Sequence, residues 1–472
     1  MPVERLSADD LMMLRAGNPW PQHITALALL DGAPLLDENG AVGLSAARAA
    51  VESRLHLVPR FRQLLHTPGR GLGAPFWTDA RAFDVRDHVL AVRIPYPGGE
   101  AELLATVEDL RRRPLELSRP LWDLWFLDGL ADGSVALFVR IHHAIADGMA
   151  AMVAFGAFLD DAPGGAAPEM APPWQPVRRP GTRELLLDNV RRHLASLAGS
   201  FDAARHPGTT GRAIRAALPG LRELLAEQPA SLTTLNRLAG PDRRLAVIRT
   251  TDDLLGDVAR AHHATPNDVL LAITAAGVRA VLEHRGELRD ATTIRLYVPV
   301  SMRRGRIRRS GAAGRGNLIS QMAVPVALRT SDPAARLHLI TAETARRRHR
   351  KRVRLGQWFH AGPVTRLLLK LITRQRVNTT TAYLRGPGNR ASAFGAEVLA
   401  VYPVIPLIGN VSLGVGAISY GGDIDIGITA DRVTYPDLEV LVAGMRAELG
   451  ALSRSAGTAA APDRKVSDRS AA

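Results

Sequence analysis

Apolar and polar residues follow two rhythms along this chain. Short runs rich in β-branched and other apolar residues read as strands. They are "VALFVRI" from Val135, "RLAVIRT" from Arg244, "TIRLYVPV" from Thr293 and "LISQMAVPVAL" from Leu318. Near the C-terminus "LGVGAISY" and "DIDIGITA" flank Gly421-Gly422, which predicts a two-residue hairpin. Spacings of three and four predict helices over Ala46 to Arg54, Ala101 to Arg112, Asp252 to His262 and Asp332 to Arg354. Thr265-Pro266-Asn267-Asp268 opens another helix, with Thr as cap, Pro in the first turn and an acid at the third position. Glu184 to about Leu238 is helical in character, broken near His206-Pro207-Gly208.

Punctuation divides the chain. The stretch "DAPGGAAPEMAPPWQPVRRPGT" from Asp161 has no period and is rich in Pro, Gly and Ala, so it reads as a linker. The expected layout is a first lobe over 1–161, a linker and helical connection over 162–240, and a second lobe over 241–455. A disordered tail is expected over 456–472. Strands and helices mixed in both halves predict an α/β (α+β) fold of two lobes. No tandem repeat is visible.

Composition narrows the chemistry. The 472 residues include no cysteine, which removes thiolate nucleophiles, acyl-cysteine intermediates, zinc–thiolate sites and disulfides. The opening "MPVERLSADDLMML" places acids where a signal peptide needs an apolar run, and no window suggests a membrane-spanning helix. The expected location is the cytoplasm, with its membrane surface. Net charge is +14, concentrated in "RRGRIRR" from Arg303 and "RRRHRKRVR" from Arg346. Such runs attract polyanions, or they are simply a solvated basic face. With 5% aromatic residues and no recognisable module, nucleic acid is not expected.

One stretch carries candidate chemistry: Ile141-His142-His143-Ala144-Ile145-Ala146-Asp147-Gly148-Met149. Side chains alternate along a strand. Continued into the pair, the strand puts His143 on the face of Val135, Leu137, Val139 and Ile141. His142 then shares the other face with Phe138 and Arg140. From Asp147 the spacing turns helical, so Asp147 and Gly148 are expected at a strand-to-helix turn, where Gly148 relieves a tight backbone. A neutral imidazole with a fixed tautomer suits a general base near pH 7. It would take a proton from a hydroxyl or amine as that group attacks an acyl carbon. The bland alternative is a core histidine. A second pair, His262-His263, lacks the following Asp-Gly and reads as a helix C-terminus. A zinc site would need a third ligand at suitable spacing, and none is evident.

Beyond these residues, "HHAIADG" resembles the HHxxxDG signature of coenzyme A-dependent acyltransferases and peptide-synthetase condensation domains. The ordered blocks "ERLSADDLMML", "HITALALLDG", "VPRFRQLL", "FDVRDHV", "PLWDLWFLDGL", "ATPNDVLLA", "VPVSMR", "GNLISQMAVPV" and "YPVIPL" resemble the bacterial wax ester synthase/diacylglycerol acyltransferase family over nearly the whole chain. The resemblance implies two chloramphenicol-acetyltransferase-like lobes with a central tunnel. It implies His143 as catalytic base, His142 as its support and Asp147 as structural. Asn267 and Asp268 match the family's Asn-Asp motif, although a helix start also explains them. "TTTAYLRGPG" departs from the family's usual Asn-Val-Pro-Gly-Pro type of ending, and Arg385 there bears on the acceptor pocket. Ser301 or a backbone N–H could stabilise an oxyanion.

The implied reaction moves a fatty acyl group from acyl-CoA, as co-substrate, to the hydroxyl of diacylglycerol or a long-chain alcohol. No bound cofactor and no metal are expected. A specialised-metabolite acceptor is one alternative, and a non-catalytic lipid-binding protein another. Asp147 lies among apolar residues and needs a cation. Arg62, in "RLHLVPRFRQ", resembles the condensation-domain arginine that pairs with the motif aspartate, with Arg303 as alternative. The expected partners include an anionic membrane surface or lipid droplet. Trp358 to Arg376, "WFHAGPVTRLLLKLITRQR", is the candidate surface segment, with core packing as its alternative.

Overall fold

A computed structural model describes residues 3–6, 11, 14, 23–145, 156–160, 174–205, 230–301, 319–348, 377, 379–407 and 409–457. In chain order the strands are β1 (His23–Leu30), β2 (Gln63–His66), β3 (Phe76–Asp79), β4 (Val89–Arg93), β5 (Trp122–Asp128), β6 (Val135–His142) and β7 (Arg243–Thr251). They continue as β8 (Thr293–Ser301), β9 (Ile319–Ala327), β10 (Thr379–Arg385), β11 (Ser392–Ala393), β12 (Ala396–Val404), β13 (Leu413–Tyr420) and β14 (Asp423–Asp431). The helices used below are α1 (Leu44–Arg54), α2 (Glu100–Arg112), α3 (Thr182–Arg205), α4 (Asp252–Ala261), α5 (Pro266–His284), α6 (Pro333–Arg348) and α7 (Leu438–Ser455).

Two six-stranded sheets organise the molecule, ordered β11-β12-β1-β6-β5-β4 and β7-β14-β13-β10-β8-β9, beside a small β2-β3 ribbon. The first sheet is not built from the N-terminal half alone. Antiparallel pairing of β1 with β12 brings Thr25 opposite Val404, so residues 392–404 complete a sheet begun about 370 residues earlier. The predicted strands at Val135, Arg244, Thr293 and Leu318 are all present, and the Gly421-Gly422 turn joins β13 to β14 with both residues at positive φ. That backbone is a type I′ geometry, which glycine adopts without strain.

The first sheet buries both faces. Val135, Leu137, Val139 and Ile141 pack with Val51, Phe61 and Trp122 on one side. Ala136 and Phe138 pack with Leu103, Val107 and Leu110 of α2 and with Val247 of β7 on the other. The second lobe packs α4, α5 and α7 against β7, β13 and β14. The lobes meet tightly: a Cβ at Gly427 of β14 would lie 2.0 Å from the Pro403 carbonyl oxygen of β12. A buried charge cluster bridges them. Glu108 of α2 accepts from Arg111 Nε (2.6 Å) and from the Arg243 N–H of β7 (2.7 Å), while Arg243 also meets Asp431 at 3.2 Å.

Among the described residues, no helix is long and apolar enough to cross a membrane. Asp147, Gly148, Arg303 and the segment Trp358 to Arg376 lie outside the described residues. The start of the second basic run is described, at the end of α6. There Arg346 and Arg347 are tied to Glu343, and Arg348 reaches Asp268 at 3.3 Å. These three arginines are therefore partly neutralised within the fold.

Candidate active site

The histidine pair sits where β6 ends. His142 is the last strand residue, held by its N–H to the Leu121 carbonyl at 2.9 Å. The Ile145 N–H then donates to the His142 carbonyl at 2.9 Å and closes a turn. The strand consequently does not continue through His143, contrary to the extended pair expected from alternation. His143 lies one residue beyond the strand, half-buried, and Ala144 is buried beside it. The parity of His142 does hold, as it follows Phe138 and Arg140 along the buried face toward α2.

His142 is fixed chemically as well as sterically. It is 7% exposed, and burial first, then the neighbouring His143, bring its pKa from the ordinary 6.5 to about 4. The ring is neutral at pH 7. The Ala144 N–H donates to its Nδ1 at 3.1 Å. With that lone pair occupied, the single ring proton belongs on Nε2. His142 in this state can donate but has no open acceptor for a substrate proton.

Around it the strands supply further polar groups. His23 of β1 stands directly across from His142, with ring centroids 6.2 Å apart and edge to face. Burial, Arg140, His142 and Arg111 all hold His23 well below its ordinary pKa. His23 lines a pocket between the lobes with Thr25, Arg111, Arg243, Val404, Pro406 and Thr429. One step back on β6, Arg140 binds Asp123 of β5 through two contacts, one of them Nε to Oδ1 at 2.8 Å. It also donates to the Leu110 and Arg113 carbonyls at 2.5 Å each. A buried guanidinium so committed anchors the strand end to α2. Sequence reading missed this clamp. Its signal was a charged pair, Arg140 and Asp123, inside two otherwise apolar strands.

The remaining candidates fall in different places. Arg62, buried, ends a short 3₁₀ turn over Pro59–Arg62. Its described contacts are the Glu52 carbonyl at 3.5 Å and the ring faces of Trp174 and Phe83 at 5.3 and 6.0 Å. Its Nε is buried with no hydrogen-bond partner among the described residues. Burial lowers its pKa. Asp268, 1% exposed, caps α5: it accepts from the Thr265 N–H (3.0 Å) and hydroxyl (2.6 Å), and from Thr344 Oγ1 (2.7 Å). Asn267 is half-buried in the first turn of α5. Ser301 ends β8 opposite Ile319, and Arg385 is exposed at the end of β10. His262 ends α4 as a cap, as expected, and its Nε2 lies 3.0 Å from Ser455 Oγ. Among the described residues, no group of three or more metal-ligating side chains gathers.

The histidine pair thus stands at the end of a central strand of a sheet to which both halves of the chain contribute. Solved structures bear out the fold. The wax ester synthase/diacylglycerol acyltransferase from Marinobacter aquaeolei VT8 superposes with a TM-score of 0.67 at 22% identity, covering 96% of this chain and 100% of that one. The starter condensation domain of rhizomide synthetase, solved in complex with C8-CoA, gives 0.60 at 15% identity, over 98% and 96% of the two chains.

The family follows from sequence. Residues 6–270 match the wax ester synthase/diacylglycerol acyltransferase catalytic domain, and residues 315–453 match the WS/DGAT C-terminal domain. A Mycobacterium tuberculosis H37Rv protein named as the diacylglycerol O-acyltransferase tgs1 is 30% identical over 450 residues, 91% of this chain and 92% of its own. A Mycobacterium bovis protein named as a diacylglycerol O-acyltransferase matches to the same extent. The chain belongs to the wax ester synthase/diacylglycerol acyltransferase family and is an acyltransferase.

Proposed function

We propose that the protein transfers a fatty acyl group from acyl-CoA to the hydroxyl of a diacylglycerol or long-chain alcohol, with His143 as general base. The observation that carries the assignment is the state of its neighbour. His142 is neutral, with Nδ1 engaged by the Ala144 N–H, so it is an orienting donor and not a base. His143, half-buried at the turn, is the other imidazole of the motif, and it is the one assigned the proton transfer in this reading. The names of the mycobacterial relatives support the acceptor, and C8-CoA in the related condensation domain supports the donor.

In this reading His143 takes the acceptor O–H proton as the oxygen attacks the thioester carbonyl carbon. The tetrahedral intermediate collapses, the carbon–sulfur bond breaks, and the imidazolium returns its proton to the CoA thiolate. The products are an ester and free CoA, and the base is regenerated. Asp147 is proposed to hold the loop by pairing with Arg62, whose buried guanidinium lacks a carboxylate among its described contacts.

Free-CoA release, measured with a long-chain acyl-CoA and panels of diacylglycerols, alcohols and amines, tests the reaction. Diacylglycerol or long-chain alcohol should be the preferred acceptor. Preference for an amine or a small polar alcohol would overturn the acceptor, and no release with any acceptor would overturn the activity. His143→Ala should lower turnover about 10²–10⁴-fold with the fold intact. Near-normal turnover in that variant would remove His143 from the role.

A further inference from the structure

Over residues 182–195, helix α3 is turned inside out. Leu186, Val190 and Leu194 recur every four residues and therefore share one face, with Leu187 beside them. They are 49%, 46%, 60% and 57% exposed. The helix attaches to the first lobe mainly through its polar side. Asp188 accepts from Arg5 at 2.6 Å, Asn189 Nδ2 donates to the Gly71 carbonyl at 2.8 Å, and Arg192 donates to the Val3 carbonyl at 2.9 Å. Among the helix side chains that are described, only Leu185 is buried, against Val3 and Phe76. An ordinary surface helix does the reverse and puts its apolar stripe on the core. Here the bonds that hold the helix also hold its leucines outward.

The charges around the stripe have one sign. Arg183 precedes it on the same face, Arg191 borders it, and Arg70 lies on the loop that Asn189 grips. All three are exposed and make no ion pair among the described residues. The nearby acids are already engaged: Glu184 with Arg178, and Asp188 with Arg5 and Arg192. An apolar stripe bordered by uncompensated guanidinium groups complements an anionic lipid surface, where leucines enter the acyl boundary and arginines meet headgroup phosphates.

We propose that α3 is the segment by which this protein docks on an anionic lipid bilayer. The proposed fatty acceptor supplies the purpose of such docking, but docking is read without turnover, so the two can fail separately.

The test uses the full chain and large unilamellar vesicles of phosphatidylcholine alone or with phosphatidylglycerol. Wild type should sediment with the anionic vesicles, less so as salt is raised. The variant L186Q/L187Q/L194Q keeps good helix formers and should lose more than about tenfold in partitioning. R183Q/R191Q should lose about fivefold per arginine on anionic vesicles only. Both variants should keep the circular dichroism and the solution mass of wild type. Equal partitioning of the glutamine variant and wild type would overturn the proposal. So would a fall in solution mass for that variant, which would make a second copy of the chain the occupant of the stripe.

Discussion

His142 shows how one backbone N–H decides a side chain's chemistry. Its imidazole is buried with no carboxylate partner among the described residues, so burial first and His143 second disfavour protonation, and its pKa falls from 6.5 to about 4. The unfolded chain therefore binds more protons than the native one between these values. Stability is fully present above pH 6.5 and is lost as pH falls toward 4. Between pH 7 and 5 the shift corresponds to about 2 kcal/mol. Urea midpoints at the two values should differ accordingly for wild type, and His142→Gln should flatten the difference. An unchanged pH slope in His142→Gln would place the acid-sensitive group elsewhere, for instance at His23, whose pKa is displaced in the same direction. Little of this was legible in sequence. Parity placed His142 on the buried face, but the tautomer depends on a turn that brings Ala144 back onto Nδ1, and residue spacing does not encode that turn. Asp147 and Arg62 can be tested at the same scale. If they pair, a double-mutant cycle should return a coupling above about 1 kcal/mol. Additive losses would leave Arg62 to its aromatic neighbours.

At the scale of elements, local rules carried the reading far. Thr265-Pro266-Asn267-Asp268 reads as a capped helix start, and the structure shows the reciprocal box with Asp268 accepting from Thr265. The same aspartate reaches across to Thr344 and Arg348 of α6, which sequence alone could not show because the partner helix lies some 80 residues away. Asp268→Ala should therefore cost about 2 kcal/mol, one part from the lost cap and the rest from the lost contacts to Thr344 and Arg348 of α6. Asp268→Asn, which can still cap, should cost less. Chemical denaturation of both variants measures the difference, and equal losses would mean that the charge, not the cap, is what matters. Helix α3 was also readable as a helix, but its orientation was not. Three consecutive leucines, Leu185 to Leu187, cannot share one face, and only the polar bonds to Arg5, Gly71 and Val3 determine which of them is buried.

At the scale of the molecule, the lobes are joined by charge as well as by packing. Glu108 of α2 is buried and holds both the Arg111 side chain and the β7 backbone at Arg243. Arg111 also donates to the Pro241 carbonyl at 2.7 Å, and burial, with Arg111 nearby, draws the Arg243 pKa to about 10. Glu108→Gln removes the only carboxylate bound by the Arg111 guanidinium among the described contacts. A loss of about 3 kcal/mol is expected, the usual scale for breaking a buried pair. Turnover per folded molecule should fall too, since the pocket beside His23 is lined by Arg111 and Arg243. A variant of unchanged midpoint would show that the interface rests on apolar packing alone.

The exchange of strands between the halves also governs how the protein can be made. β12 lies at Ala396–Val404 and pairs with β1 at the other end of the chain. During synthesis the first sheet therefore has an open edge along β1 until residues 396–404, some 370 positions later, have left the ribosome. An uncovered strand edge of apolar residues is a site for wrong pairing between chains. Expression of residues 1–240 alone should give insoluble material, whereas co-expression with the remaining segment should restore solubility by supplying the missing strand. The order of synthesis and the order of the strands in this sheet therefore disagree, since β1 receives one of its two neighbours only from residues 396–404.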